Sequence, residues 1–276
     1  MIIFFYLMNK EIVKYYLDHK SEFFTDRPHN RLLDRLKKLI KKYDTDKTIV
    51  GIDVGCNLGA YIRHLKKFCK EPNSKILCFE PNPVNIPVIE KKIKSEKNIK
   101  LFKFALSNVT GTFNFYNWKD MKKNKVGNPV GGLRSGGELI CKTEVKLLED
   151  VLDEEFKDQD ILIKFLKIDV EGNDTNVIKG FQKYLDRTDY IIFECSDCLD
   201  DFRGPGIERP MKDIVDYLSN NNFDTYRIGK KKLIKVNDEY WDDTYEKFKY
   251  WSNCFSLKKD NNLINSLIDE NFNYLI

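Results

Sequence analysis

Two short runs of this chain hold residues whose types and spacing could do chemistry. The first is Ile52-Asp53-Val54-Gly55-Cys56-Asn57-Leu58-Gly59. An apolar strand ends in an acid, passes through a glycine turn and enters a helix. That layout sets backbone N–H groups and a helix N-terminus before a nucleotide or nucleoside. Glycine lets a ligand approach main chain that a Cβ would cover. A dinucleotide fingerprint needs G-x-G-x-x-G, and only Gly55 and Gly59 fit it here. Asp53 stands where a pyrophosphate would pass, and an acid there suits a cationic ligand better. The turn residues Asp53, Gly55, Cys56, Asn57 and Gly59 are therefore expected to hold S-adenosylmethionine.

The second run is Phe165-Leu166-Lys167-Ile168-Asp169-Val170-Glu171-Gly172-Asn173-Asp174. An apolar strand emerges with two carboxylates two residues apart, and such residues share a face while the chain stays extended. If the strand persists through Val170, Asp169 and Glu171 enter the same mouth. Glu194, after Tyr190-Ile191-Ile192-Phe193, adds a third acid. Three acids at one sheet edge suit either removal of a hydroxyl proton or coordination of a hard cation. Asp169, Glu171 and Glu194 are the catalytic candidates, with Asp169 also beside the cofactor.

The remaining candidates come from other strand tips, because ligands of open α/β sheets sit outside the carboxyl ends of the strands. Glu80, in Phe79-Glu80-Pro81-Asn82, follows Gly55 by about 25 residues, near the ~20 at which such sheets place an acid on a ribose diol. Pro81 and Asn82 stand beside it. Ala105, Leu106 and Ser107 end the third strand and offer an adenine apolar contact with a polar edge. His19, His29 and His64 show no metal spacing, and Cys195-Ser196-Asp197-Cys198 lacks the second ligand pair of a zinc site. No G-x-S-x-G, P-loop or H-E-x-x-H is present.

The elements that must position these residues alternate. Strands are expected over 48–54, 75–80, 99–106, 112–116, 163–170 and 190–194. Helices are expected over 58–68, 84–95, 174–184 and 211–221. Strands over 223–228, 232–236 and 254–257 close the pattern. This order calls for a parallel sheet covered by helices on both faces. Residues 10–20 and 30–43 have helical periodicity. In the second, Leu32, Leu33, Leu36, Leu39 and Ile40 form one stripe with the lysines and arginines elsewhere, as expected of a helix with a solvated basic face. Lys122 to Lys142, rich in glycine, breaks the alternation. It is expected to be a long loop, either a lid over the site or a surface insertion, with the lid favoured because its neighbours in sequence flank the pocket.

Length favours one large α/β domain, able to bury its core without disulfides or metals. The division expected is an N-terminal helical extension over 1–47, the main domain over 48–258 and a helical tail over 259–276. Lys and Arg number 47 against 43 Asp and Glu, a mixed surface that does not identify a nucleic-acid binder. Seven scattered cysteines fit a reducing, cytoplasmic compartment. Met1-Ile2-Ile3-Phe4-Phe5-Tyr6-Leu7 is apolar but too short to span a membrane. It is expected to be a packed strand, or to precede a true start at Met8.

Together these residues resemble the FkbM family of S-adenosylmethionine-dependent methyltransferases. The likeness rests on Ile52 to Gly59, on Phe79-Glu80-Pro81-Asn82-Pro83, on Ala105 to Gly111, above all on Leu166-Lys167-Ile168-Asp169-Val170-Glu171-Gly172, and on Ile192-Phe193-Glu194. Cys56 stands where the family commonly has alanine and Asp174 where it commonly has glutamate, and Cys195 follows Glu194. The resemblance implies a class I methyltransferase (Rossmann-like) fold: a seven-stranded, mostly parallel sheet with helices on both faces, here with added N-terminal helices. It also implies O-methylation of sugars, glycans or polyketide-type products.

The expected reaction is methyl transfer to an alcohol oxygen, with a sugar or glycan as acceptor. Proton removal would fall to a carboxylate, acting late in the transition state or with a divalent metal lowering the hydroxyl pKa. One rival is ribose 2′-O-methylation of RNA, suggested by Lys167, Asp169 and Glu194. Lys167 should project opposite Ile168, however, and no basic-aromatic groove is legible. The other rival is a non-catalytic binding subunit. The oligomeric state is not legible.

Overall fold

The computed structural model describes residues 2–23, 27–117, 131–133, 138–157, 159–194, 211–247, 253–267 and 273–275. In chain order the elements are α1 (Ile2–Asp18), α2 (Lys20–Phe23), α3 (Arg27–Leu39), β1 (Thr48–Val54), α4 (Ile62–Phe68), β2 (Lys75–Phe79), α5 (Ile86–Ile93), β3 (Ile99–Phe102), β4 (Ala105–Leu106), β5 (Gly111–Asn117), β6 (Gly131–Gly132) and β7 (Glu138–Lys146). There follow α6 (Leu148–Phe156), β8 (Ile161–Ile168), α7 (Asp174–Lys179), β9 (Thr188–Glu194), α8 (Met211–Asn220), β10 (Phe223–Ile228), β11 (Lys232–Lys235), α9 (Thr244–Lys247), β12 (Asn253–Lys258), α10 (Leu263–Leu267) and β13 (Asn273–Leu275). The chain groups into two compact units, Lys42–Glu194 and Met1–Lys41 with Glu208–Ile276.

The unit built on Lys42–Glu194 holds a parallel sheet in the order β9-β8-β1-β2-β3. Its central strands are apolar and buried along nearly their whole length, as parallel strands covered on both faces must be. Deep in the sheet, Lys164 Nζ sits 2.6 Å from Glu71 Oε1, both buried. Glu71 also accepts the Tyr43 backbone N–H at 2.7 Å. A buried charge pair is tolerated where further hydrogen bonds satisfy it.

A second sheet in the order β4-β7-β5-β6 belongs to the same unit. It corrects two expectations. Residues 99–106 are not one strand: the chain leaves the parallel sheet after Phe102 and re-pairs at Ala105–Leu106 with Val145–Lys146. Nor is Lys122–Lys142 a loop throughout. Glu138–Lys142 belongs to β7, antiparallel to β5, and Gly131–Gly132 pairs with Tyr116–Asn117. Backbone pairing with β5, not side-chain burial, makes these residues strand: 138–142 are exposed or half-buried. The rest of that segment, and Cys195 and Cys198, lie outside the described residues.

In the other unit β12, β10 and β11 are antiparallel neighbours, and β13 runs parallel to β11. The tail is thus a short helix plus a strand rather than helical throughout, and β11 and β13 take the strand total past seven. Ile2–Leu7 lies in the helix α1, not in a strand. In α3 the stripe expected to be apolar buries Leu32, Leu33 and Leu36, and Ile40 just beyond it is buried too. Lys37 meets Asp34, and Arg31 donates to the Lys230 carbonyl. Among the described residues, no helix is long and apolar enough to cross a membrane.

Candidate functional site

The carboxyl ends of β1, β2 and β8 and the start of the second sheet enclose a cleft of about 640 Å³, counting the part open to solvent. That is room for a nucleoside-sized ligand. Its lining includes Gly55, Asn57, Glu80, Pro81, Ala105, Leu106, Asp169 and Glu171, all expected from the sequence. It also includes Gly131 to Leu133, from the segment expected to lie over the site, and Phe79, Asn85, Phe104, Phe115 and Asn173, to which the sequence reading gave no role in the site.

The glycine turn is held tightly. Gly55 has φ +73°, and a Cβ on it would fall 1.9 Å from the Asp169 carbonyl oxygen. Gly55 and Cys56 both donate their N–H to the Phe79 carbonyl at 3.0 Å. Asn57 donates its N–H to Glu80 Oε2 at 2.7 Å. These amides are therefore spent inside the protein and do not face a ligand as the motif suggested. Gly59, with φ +69°, shapes this turn, and buried Asn82, whose Oδ1 accepts the Val84 N–H, shapes the turn after β2; neither lines the cleft.

Glu80 is buried at the cleft wall. Its Oε1 accepts the Asn82 N–H at 3.0 Å and Asn85 Nδ2 at 3.4 Å. Burial raises its pKa, opposed by these donors and Asn57. A carboxylate offers about four acceptor sites, so about one remains for a ligand hydroxyl. Asn85 supplies another: its Oδ1 is buried with no hydrogen-bond partner, as is Asn57 Oδ1, and both residues line the cleft. Buried acceptors of this kind call for a donor from outside the chain. Phe79 and Phe104, both in the lining, cluster with Phe102 at ring separations of 4.8 to 5.8 Å. Ser107 is buried beside them and outside the lining.

Asp53 does not line the cleft. It is fully buried, opposite Cys78 on β2 and Lys167 on β8. Lys167 Nζ lies 3.2 Å from Asp53 Oδ1 and 3.6 Å from Asp169 Oδ2. Burial pulls the Lys167 pKa down, but the charges of Asp53 and Asp169 outweigh it and hold the ammonium above its ordinary value. The acid expected to meet a cationic ligand thus already meets a cation of its own chain. Cys56 is likewise turned away, its thiol pKa raised first by a hydrogen bond with Cys78 and then by burial.

The acids of the second run sit differently from the expectation. β8 ends at Ile168, and Glu171 has φ +57°, so strand alternation does not extend to it. Asp169 and Glu171 still both line the cleft, delivered by a turn. Asp169 is about half exposed, at 45%. Glu194 is buried at the end of β9 and is not in the lining. Its backbone N–H is bound by Asp174 Oδ1 at 3.2 Å. Among the described residues, the one grouping whose metal-ligand atoms lie within 4.8 Å is Asp53, Cys56 and Cys78, and the three expected acids do not form another.

Asp174 begins α7, fully buried. Burial first, then the charge of Asp169, pushes its pKa up to about 7. A raised carboxyl pKa means stability present below about pH 4 and lost as pH rises through about 7. Asp174→Asn should therefore flatten the fall of Tm between those limits. A Tm profile parallel to that of the parent protein would show that Asp174 does not titrate there. Asn173, beside it, donates Nδ2 to the Leu106 carbonyl at 3.1 Å and so ties the acid turn to β4.

The sequence reading weighed Lys167 only for the RNA alternative and did not foresee its pairing with Asp53 and Asp169. The signal was present: it lies two residues before Asp169, on the same face by the alternation rule.

The chain is 30% identical over 154 residues to methyltransferase SdnD of Sordaria araneosa, covering 47% of this chain and 59% of that protein. It is 24% identical over 159 residues to the 2-O-methyltransferase NoeI of Sinorhizobium fredii (strain NBRC 101917 / NGR234), covering 54% and 63%. The chain thus spans less than two thirds of either relative. The crystal structure of methyltransferase FkbM from Methylobacillus flagellatus KT aligns with 80% of this chain and 45% of its own, with 13% identity and a TM-score of 0.42. The profile of the methyltransferase FkbM domain matches residues 53–225, well over half of the chain and all of the cleft lining described above, so the chain belongs to the FkbM methyltransferase family.

Proposed function

We propose that the chain transfers the methyl group of S-adenosylmethionine to an alcohol oxygen of a sugar or glycan. The observation that carries this reading is one cleft lined by Glu80 and Asn85 at one wall and by Asp169 and Glu171 at the other. Glu80 and Asn85 suit the ribose hydroxyls of the cofactor, and Phe104, Ala105 and Leu106 suit its adenine. When bound, the cofactor supplies a methyl group already activated by a sulfonium. The chain then has to place the acceptor oxygen in line and take up its proton. Asp169 is the residue for the proton, with Glu171 orienting the hydroxyl. Glu194, buried behind Asp174, is assigned the lesser task of supporting the acid turn.

The name of the relative NoeI, a 2-O-methyltransferase, supports oxygen as the acceptor atom. Among the described lining residues the ionisable side chains are acidic, which favours a neutral hydroxyl over a phosphodiester. Residues 48–258 are assigned the activity, with 1–47 and 259–276 as flanking segments. A reducing cytoplasm suits the free thiols of Cys56, Cys69, Cys78, Cys141 and Cys254.

The test is transfer of labelled methyl from S-adenosylmethionine across neutral sugars, glycans and RNA. Label in a sugar hydroxyl is expected. Label confined to RNA would replace the acceptor class. Failure of S-adenosylhomocysteine to bind in calorimetry would leave a non-catalytic module.

A further inference from the structure

Both lips of the cleft, the glycine turn after β1 and the acid turn after β8, are reached by one side chain. Lys167 Nζ donates to the Gly55 carbonyl at 2.9 Å and reaches the Val54 carbonyl at 3.4 Å. The same ammonium lies 3.2 Å from Asp53 and 3.6 Å from Asp169. One ammonium thus meets four oxygens, two carbonyls through hydrogen bonds and two carboxylates through charge. The lips touch just above. Asp169 donates its N–H to the Val54 carbonyl at 3.1 Å, and the Asp169 carbonyl occupies the space where Gly55 would carry a Cβ. Lys167 itself is 8% exposed and absent from the cleft lining. Simple charge balance for Asp53 would require only one of these contacts, whereas the side chain binds both lips at once.

We infer that Lys167 is a positioning residue that locks the glycine turn to the acid turn, so that the cofactor wall and Asp169 stay in register. The inference rests on the methyl-transfer reading only for its purpose, not for its geometry. Removing Lys167 alone would strand Asp53 as an uncompensated buried charge, which destabilises any fold. The comparison is therefore between Asp53→Asn and Asp53→Asn/Lys167→Met in the full chain. Where the methionine variant does not fold, Lys167→Gln with Asp53→Asn takes its place, since two facing amides can pair.

Two readouts decide the matter. In the free protein, amide hydrogen exchange over Gly55–Asn57 and Asp169–Gly172 should rise together, at least tenfold, in the double variant relative to Asp53→Asn. Exchange in the interior of β1 and β8 should stay the same. Calorimetry with S-adenosylhomocysteine should show a Kd at least tenfold weaker in the double variant. Equal exchange in both turns and equal Kd for the two variants would overturn the proposal. Exchange needs no cofactor, so it still decides the role of Lys167 if the parent protein binds no S-adenosylhomocysteine. That last result would instead end the methyl-transfer reading.

Discussion

Asp169→Asn should lower methyl transfer by about 10²–10⁴-fold, the span of a lost proton acceptor, while S-adenosylhomocysteine affinity changes no more than a few-fold. The amide keeps the shape of the carboxylate but cannot take the acceptor's proton. Asp169 is half exposed at the cleft, so the fold should tolerate the change within about 0.5 kcal/mol. The variant carries a second signature. The charge of Asp169 is the largest cause after burial for the raised pKa of Asp174, so Asp174 should titrate lower once that charge is gone. A variant that turns over at the parent rate would take Asp169 out of the chemistry. One that also loses S-adenosylhomocysteine binding would make it a cofactor residue instead.

Gly55→Ala should be the most damaging glycine-to-alanine change among the described residues. The backbone there has φ +73°, which costs an alanine about 1–2 kcal/mol by itself. The added methyl would also lie 1.9 Å from the Asp169 carbonyl oxygen and 3.2 Å from Val170 Cγ1. The first of these is main chain and cannot rotate away, so the two lips must separate. Overpacking of this kind adds about 1–3 kcal/mol. The expected sum is a loss of about 2–5 kcal/mol in denaturant unfolding, together with at least a hundredfold weaker binding of S-adenosylhomocysteine. Gly59→Ala is the control. It has a similar φ of +69°, but the one close contact of its methyl would be Ile62 Cδ1 at 3.0 Å, the end of a flexible side chain, with Ile89 and Lys92 at an ordinary 3.8 Å. It should cost about 1–2 kcal/mol. If the two glycines proved equally tolerant, the close contact between the lips would not exist in solution.

The cofactor side of the cleft and the acid side differ in how far they could be read in advance. Glu80 was expected from its distance to Gly55, and it does line the cleft. The expectation of a carboxylate free to grip both ribose hydroxyls was too generous, because three donors of the chain already occupy it. Asn85 went unremarked because an asparagine at a helix start usually reads as a cap. Here it makes no side-chain capping bond, and its oxygen is left without a partner.

The sequence by itself determined the alternation of strands and helices, the glycines that must take positive φ, and the acids at the strand tips. These are local properties: side-chain periodicity and the steric cost of a Cβ depend on a residue and its near neighbours. Tertiary structure alone decided which acids face the ligand space. Asp53 and Asp169 are both acids at strand ends, yet parallel pairing in register sets the first against Cys78 and Lys167 and leaves the second in the cleft. Glu194 ends a strand just as they do, but Asp174, folded in from α7, binds its backbone, and Glu194 stays buried outside the cleft. The break after Phe102, which turns Ala105 and Leu106 into a second sheet and brings Phe115 and Gly131 to the wall, depends on pairing with β7 some forty residues later. Contacts between residues distant in sequence leave no periodic trace in either segment, so only the folded chain shows them.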